Sequence, residues 1–336
     1  MTRNLMKKND FLPRSDLGRN EVRFAFFGTS HIAVFVLDEL KKAGLIPSPI
    51  VTTPDKAKGR GLAVQPPPVK AWAMSNNIEI LQPEHLDSPF CYKLQATSYR
   101  LDACVVVDYG KILPRTVLGI PRRGFLNVHP SLLPRLRGPS PIRSAILNDE
   151  KTTGVTIILV DEEMDHGPIV AQRRVPPPAG GWRSGWPPHL SELEETLMQE
   201  GGRLLAQVLP QWVAGEIDAH EQNHDVATYS EKIEKEDGLL NLADSAELNL
   251  RKIRAYEGWP GTYAFFKRRG LNRAKGAVGR TPNETSSHGV LGKKIRVGII
   301  DAHIENNLLV IDKVKPEGKK EMGYAEFLRS GAKPIP

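Results

Sequence analysis

Residues 21–44, Glu-Val-Arg-Phe-Ala-Phe-Phe-Gly-Thr-Ser-His-Ile-Ala-Val-Phe-Val-Leu-Asp-Glu-Leu-Lys-Lys-Ala-Gly, decide the architecture. EVRFAFFGT (21–29) is a near-continuous apolar run, the composition of a strand buried on both faces. IAVFVLDELKKAG (32–44) then reads as an amphipathic helix. SPIVTT (48–53) reads as a second strand, VKAWAMSNN (69–77) as a helix, and DACVVVDYG (102–110) as a further apolar strand. Strands alternating with helices predict an α/β chain with a Rossmann-like, mostly parallel sheet covered on both faces. The first turn carries Gly28 alone and lacks G-x-G-x-x-G, which argues against a nicotinamide dehydrogenase.

Further along, Gly124-Phe125-Leu126 leads into Asn127-Val128-His129-Pro130-Ser131-Leu132-Leu133-Pro134, and Pro130 stops the strand. Side chains alternate along a strand, so Asn127 and His129 project from one face. A non-titrating amide donor thus sits beside an imidazole at a strand end, where open α/β sheets bind ligands. A second polar cluster, Asp161-Glu162-Glu163-Met164-Asp165-His166-Gly167, follows the apolar run Gly154–Val160. Together they suggest an Asn/His/Asp site for acyl transfer to an amine: donors for an oxyanion, and a proton route. Read singly, His129 is a structural histidine, Asp165 a turn residue and Asn127 a strand-end cap. His166 reads as an exposed bystander.

At 336 residues the chain accommodates two domains. Composition is that of a soluble globular protein, 40% hydrophobic and 25% charged. No apolar run approaches the roughly 20 residues of a membrane span. The first 20 residues lack the apolar segment of a secretory signal and read as a disordered tail. Cys91 and Cys104 form neither a CxxC pair nor a zinc cluster, so a cytoplasmic setting is expected.

A net charge of +7 invites an anionic partner, and its distribution sharpens the point. Tyr109–Asn148 holds seven Lys or Arg and no acid; Lys267–Arg296 holds nine against Glu284 alone. Such stretches are solvated faces or nucleic-acid surfaces. VPPPAGGWRSGWPPH (175–189) reads as a stiff surface loop, with base stacking by Trp182 and Trp186 as the alternative. The amphipathic helix that begins at Leu190 closes the first domain. After it come a helix-like SAELNLRKIRAYEGWPG and the short runs TYAFF, KIRVGIIDAHI and NNLLVIDKV, which predict a small β module.

NVHPSLLPRLRGPSPIRSAILNDEKTTGVTIILVDEEMDHGPIV (127–170) closely resembles the formyltransferases that use 10-formyltetrahydrofolate. The flanking segments FFGTS, TTPDKAKGRG, PPPVK, ATYSEKIEKEDGLLNL, IRAYEGWPGTYAFF and VKPEGKKEMGYAEFLRSG are similar to the branch that formylates methionyl-tRNA. The resemblance implies a formyltransferase-fold catalytic domain at 21–207, a linker at 208–230 and an OB-like, tRNA-binding β-barrel domain at 231–336 with a polar insertion near 271–292. It implies Asn127, His129 and Asp165 as catalytic residues. For the folate, it implies Ser131, Leu132, Leu133, Pro134, Val107, Asp108, Tyr109 and Gly110. For initiator methionyl-tRNA, it implies Arg60 on the loop PDKAKGRGLAVQPPP, and Lys267, Arg268 and Arg269. Neither metal nor membrane is called for, and a monomer is expected. Formylation of an amino-sugar nucleotide, hydrolysis of the formyl-folate, and plain RNA or folate binding stay open as alternatives.

Overall fold

The computed structural model describes residues 22–58, 63–97, 100–268 and 293–335. The expected tail at 1–20 and the polar insertion at 271–292 lie outside the described residues.

The chain runs β1 (Phe24–Gly28), α1 (His31–Lys42), β2 (Ile50–Val51), a hairpin of β3 (Lys56–Lys58) and β4 (Ala63–Gln65), α2 (Pro68–Ser75) and β5 (Ile80–Leu81). It continues through α3 (Ser88–Thr97), β6 (Ala103–Val107), α4 (Arg115–Leu118), β7 (Phe125–His129), α5 (Pro141–Leu147), β8 (Thr153–Leu159), β9 (Ile169–Val175) and α6 (Leu190–Ala214). Seven of these strands form one sheet in the order β5-β2-β1-β6-β7-β8-β9. Pairing is parallel from β5 to β7 and antiparallel for β8 and β9, so β7 is the seam between the two regimes.

Alternation along each strand feeds two cores. Phe24, Phe26, Val105, Leu126 and Val128 join Val36 and Leu37 of α1 and Leu197 and Leu205 of α6. Ala25, Phe27, Cys104 and Phe125 join Phe90, Leu94 and Val117 on the other side. Each large apolar side chain so buried contributes roughly 1.5–3 kcal/mol of transfer free energy. Burial also pushes the Cys104 thiol well up, which keeps it inert. Helix α6 lies close because of Gly201 and Gly202. A Cβ on Gly201 would sit 2.6 Å from Val128 Cγ1, and one on Gly202 would sit 2.7 Å from Glu39 Cβ.

Helix α6 runs to Ala214, into the stretch 208–230 where the crossing to the second module is expected, and the irregular connection begins at Gly215. The Pro/Trp segment between β9 and α6 is held by its tryptophans. Trp182 is 9% exposed and belongs to the first core, and Trp186 Nε1 donates to Asp149 Oδ1 at 2.5 Å. These contacts use the rings internally, which leaves the base-stacking alternative without support.

The second module contains α7 (Ala246–Ala255), β10 (Thr262–Arg268), β11 (Lys293–Glu305), β12 (Leu308–Pro316), β13 (Met322–Gly323), α8 (Tyr324–Arg329) and β14 (Ala332–Pro334). Its strands form an antiparallel sheet, β13-β12-β11-β10-β14, over a core of Leu250, Ile253, Phe266, Val297, Ile299, Val314 and Phe327. Among the described residues β13 and β14 do not pair, so the sheet is a half-barrel. Ala255 and Tyr256 reach into the first module's core, and Arg143 Nη2 donates to Trp259 O at 3.3 Å across the junction.

Candidate active site

The antiparallel pairing of β7 with β8 sets Asn127 opposite Ile158 and His129 opposite Thr156. Both polar residues occupy the β7 face that Phe125 occupies, as the alternation predicts. The loop after β8 brings Asp165 over them. Asn127 Nδ2 donates to Asp165 Oδ1 at 3.3 Å, and His129 Nδ1 lies 3.4 Å from the same oxygen. The Gly138 N–H donates to the other carboxylate oxygen, Oδ2, at 2.8 Å.

On its far side the imidazole meets a carbonyl: Nε2 is 3.0 Å from Leu136 O. A carbonyl only accepts, so Nε2 carries a proton. Both ring nitrogens therefore face acceptor oxygens, a partner set satisfied in full by the doubly protonated ring. Burial would push the Asp165 carboxyl up. The charge and hydrogen bond of His129, the Gly138 N–H and the nearby Arg137 outweigh that and hold it below the ordinary carboxylate value.

Three site residues adopt left-handed backbone: Leu136 at φ +56°, Gly138 at +107° and Asp165 at +54°. For a leucine this conformation costs of the order of 1–3 kcal/mol and persists only where neighbours over-determine it. Here they do. Thr228 Oγ1 accepts the Leu136 N–H at 2.9 Å, and Arg137 is bonded through its backbone to Thr228 and Ser230.

Gly138 and Asp165 line a cavity of about 650 Å³ at the carboxyl edge of the sheet. Val107, Asp108, Tyr109 and Gly110 line it, as do Asn127, His129 and Asp165. The ring of Tyr109 is buried against Phe27, so its side chain belongs largely to the core. Ser131, Leu132, Leu133 and Pro134 do not line this cavity. The Ser131 hydroxyl donates to Arg135 O, its carbonyl accepts from Thr156 Oγ1, and Leu133 O accepts from Gln172, which turn the segment toward β8 and β9. Ser131 and Leu132 instead border a second cavity of about 480 Å³ with Arg135 and Thr153.

Among the tRNA candidates, Arg60 and Arg269 lie outside the described residues and Arg268 closes β10. Lys267 is exposed on β10, opposite Lys294 and Lys333. On the same face Arg296 stacks over Tyr263 at 3.7 Å and Lys294 over Phe265 at 3.9 Å. The acid-poor stretch 109–148 is not a free basic face. Arg115, Arg122 and Arg135 pair with Glu162, Asp102 and Glu150, Lys111 holds the carbonyls of Pro83 and Glu84, and Arg137 is buried.

Sequence reasoning missed Arg137, Gly138, Gln222 and Thr228. RLRG was visible beside the motif, but nothing in the irregular stretch near 222 marks a residue that reaches the site. It also misjudged His166, which is half-buried, 2.7 Å from Asp161 Oδ2, and stacked on His224. Among the described residues no cluster of His, Cys, Asp and Glu could hold a metal ion, and no helix is long and apolar enough to cross a membrane.

Residues 22–179 match the family described as formyl transferase, and residues 232–331 match formyl transferase, C-terminal domain. A methionyl-tRNA formyltransferase of Chloroflexus aurantiacus is 38% identical over 309 residues, covering 91% of this chain and 96% of that protein. That of Myxococcus xanthus is 35% identical over 312 residues, covering 91% and 94%. The solved methionyl-tRNA formyltransferase from Clostridium thermocellum shares the fold with a TM-score of 0.51 at 14% identity, covering 88% of this chain and 99% of that one.

Proposed function

The chain belongs to the formyl transferase family, and from its site we propose that it moves the formyl group of 10-formyltetrahydrofolate onto the α-amine of methionine carried by initiator tRNA. One observation carries the chemistry: Asn127 Nδ2 and His129 Nδ1 converge on a single oxygen, Oδ1 of the Asp165 carboxylate.

In the reaction the amine nitrogen bonds to the formyl carbon, the carbonyl oxygen becomes an oxyanion, and the bond from that carbon to N10 breaks. One proton leaves the amine and one arrives at N10, so the exchange balances without a metal or a covalent enzyme intermediate. Asp165 Oδ1 occupies the point on which both donors are aimed, an anionic oxygen standing where the oxyanion would be served. Asn127 donates without titrating, and His129 with a proton on Nδ1 donates to the same point. Asp165, held ionised by its neighbours, accepts the amine proton and relays it toward N10. The wall from Val107 to Leu113 and the loop 161–165 would hold the folate.

The RNA assignment is supported by two features beyond the chemistry. Relatives bearing this activity in their names match over nine-tenths of the chain, both modules included. The outer face of β10 and β11 alternates aromatic rings with stacked cations, a surface suited to RNA backbone and bases. Lys267 lies on this face, and we assign Lys267, Arg268 and Arg269 to tRNA contact and Arg60 to the acceptor end. The test is transfer from 10-formyltetrahydrofolate to charged initiator methionyl-tRNA, with His129→Ala alongside. Transfer by the parent and loss in the variant supports both function and site. No transfer, with folate still bound, redirects the assignment to an amino-sugar nucleotide.

A further inference from the structure

We infer that the segment joining the two modules, residues 220–230, is part of the catalytic apparatus, with Gln222 and Thr228 as positioning residues for Asp165 and His129. The inference rests on the reading of Asn127, His129 and Asp165 as the reacting set.

The segment contains one short 3₁₀ turn, His224–Val226, and is otherwise irregular. It is nonetheless stitched to both sides of the site. His220 exchanges backbone hydrogen bonds with Ile169 at 2.7 and 2.9 Å, beyond the Asp165 loop. Arg137 N donates to Thr228 O at 2.9 Å, and Ser230 N donates to Arg137 O at 2.7 Å. Ser230 Oγ accepts the Ser140 N–H at 3.0 Å.

Gln222 is the centre of this lacing. Its Nε2 donates to Asp165 O at 2.9 Å and to Gly167 O at 2.8 Å. Its Oε1 accepts from Arg137 Nε at 3.1 Å and Nη2 at 2.7 Å. A primary amide gives two donors and two acceptor lone pairs at one neutral side-chain tip, and all four are used here. Glutamate would present no donor to the two carbonyls, and an apolar side chain would present nothing. One end of Gln222 therefore fixes the backbone that carries Asp165. The other end fixes the residue before Gly138, whose N–H holds the same carboxylate.

Thr228 does the equivalent for the imidazole. Its Oγ1 accepts the Leu136 N–H, and the Leu136 carbonyl receives His129 Nε2. Each titratable member of the site thus has a partner in the connection: Asp165 directly and His129 through Leu136. Besides Gln222, the Arg137 side chain has His224 as a partner, Nη2 donating to Nδ1 at 2.8 Å. A guanidinium only donates, so that nitrogen accepts, and the His224 ring stacks on His166 at 4.2 Å. The connection therefore also covers the far end of the Asp165 loop.

Glue that only maintains the fold would lower stability and leave turnover untouched well below the unfolding temperature. Positioning residues lower kcat with binding preserved, because a displacement of about 1 Å at reacting groups costs on the order of 100-fold. The experiment uses the full chain and steady-state formyl transfer to methionyl-tRNA, comparing Gln222→Met, Thr228→Val and Thr228→Ser. Gln222→Met and Thr228→Val are expected to lose roughly 10- to 100-fold in kcat, with KM for both substrates within about threefold. Thr228→Ser keeps the accepting oxygen and is expected to recover most of the rate that Thr228→Val loses. Turnover of both Gln222→Met and Thr228→Val within about threefold of the parent overturns the inference, as does a loss confined to KM. Thr228 is exposed, so if Gln222→Met does not fold, Thr228→Val decides alone. A parent protein without transferase activity would instead sink the functional reading on which this rests.

Discussion

Asp165 closes on Asn127, carboxylate oxygen to amide nitrogen at 3.3 Å, so the amide already serves an anion that the protein itself supplies. That carboxylate holds the donor in place, and in the chemical step the amide exchanges it for the developing oxyanion.

Removing that donor should therefore be felt in turnover. Asn127→Ala is expected to lower kcat by about 10²- to 10³-fold with much smaller changes in either KM. Steady-state kinetics with each substrate varied in turn is the check; a loss expressed mainly in KM would assign Asn127 to binding.

Asp165 gives a pH signature. Its folded value is depressed, so it stays ionised throughout the ordinary carboxylate range, and a rate limb between pH 5 and 7 belongs to another group. The same depression means that the carboxylate stabilises the fold above its unfolded value near 3.8 and that this contribution vanishes as pH falls through the lower folded value. The stability gap between the parent and Asp165→Asn, measured by denaturant unfolding, should be largest near neutrality and shrink only in strong acid. A gap that closes already by pH 5 would contradict the depressed value.

The β10–β11 face should register in salt dependence. Lys294→Gln with Arg296→Gln is expected to weaken methionyl-tRNA binding and to flatten the log–log salt slope by about 0.7–0.9 for each phosphate no longer neutralised. Filter binding across a salt series reads both quantities. An unchanged slope would return this face to the solvent.

Gly138 is held at φ +107°, with space for a Cβ only 2.8 Å from Ser230 O. Gly138→Ala should cost roughly 1–3 kcal/mol of stability and shift the N–H that holds Asp165, lowering kcat as well. Thermal unfolding and turnover of the same preparation test the two effects together.

Much of this was legible in the chain. The apolar runs at 24–28, 103–107 and 125–129 became buried sheet strands, and period-two alternation alone put Asn127 and His129 side by side. Asp165 was recognisable through the family motif, because its approach depends on a left-handed turn that no local pattern dictates. The bonds from Gln222 to Asp165 and from Leu136 to Thr228 span 57 and 92 positions, and such pairings leave no periodic trace. Charge was the least legible property: the acid-poor stretch 109–148 reads as a basic surface, yet acids from elsewhere in the chain and the burial of Arg137 neutralise its appeal to RNA.

The seam at β7 also sets where this protein tolerates insertions and deletions. One residue added or removed within 125–129 would exchange the two faces of the strand, sending Asn127 and His129 toward α6 and Leu126 and Val128 to the face they now occupy. The segment 176–188 takes no part in lining the cavity, so it can lengthen or shorten around its buried Trp182 while the reacting groups keep their surroundings. Length variation is thus confined to the loops, and the strand that carries the amide and the imidazole has a fixed residue count.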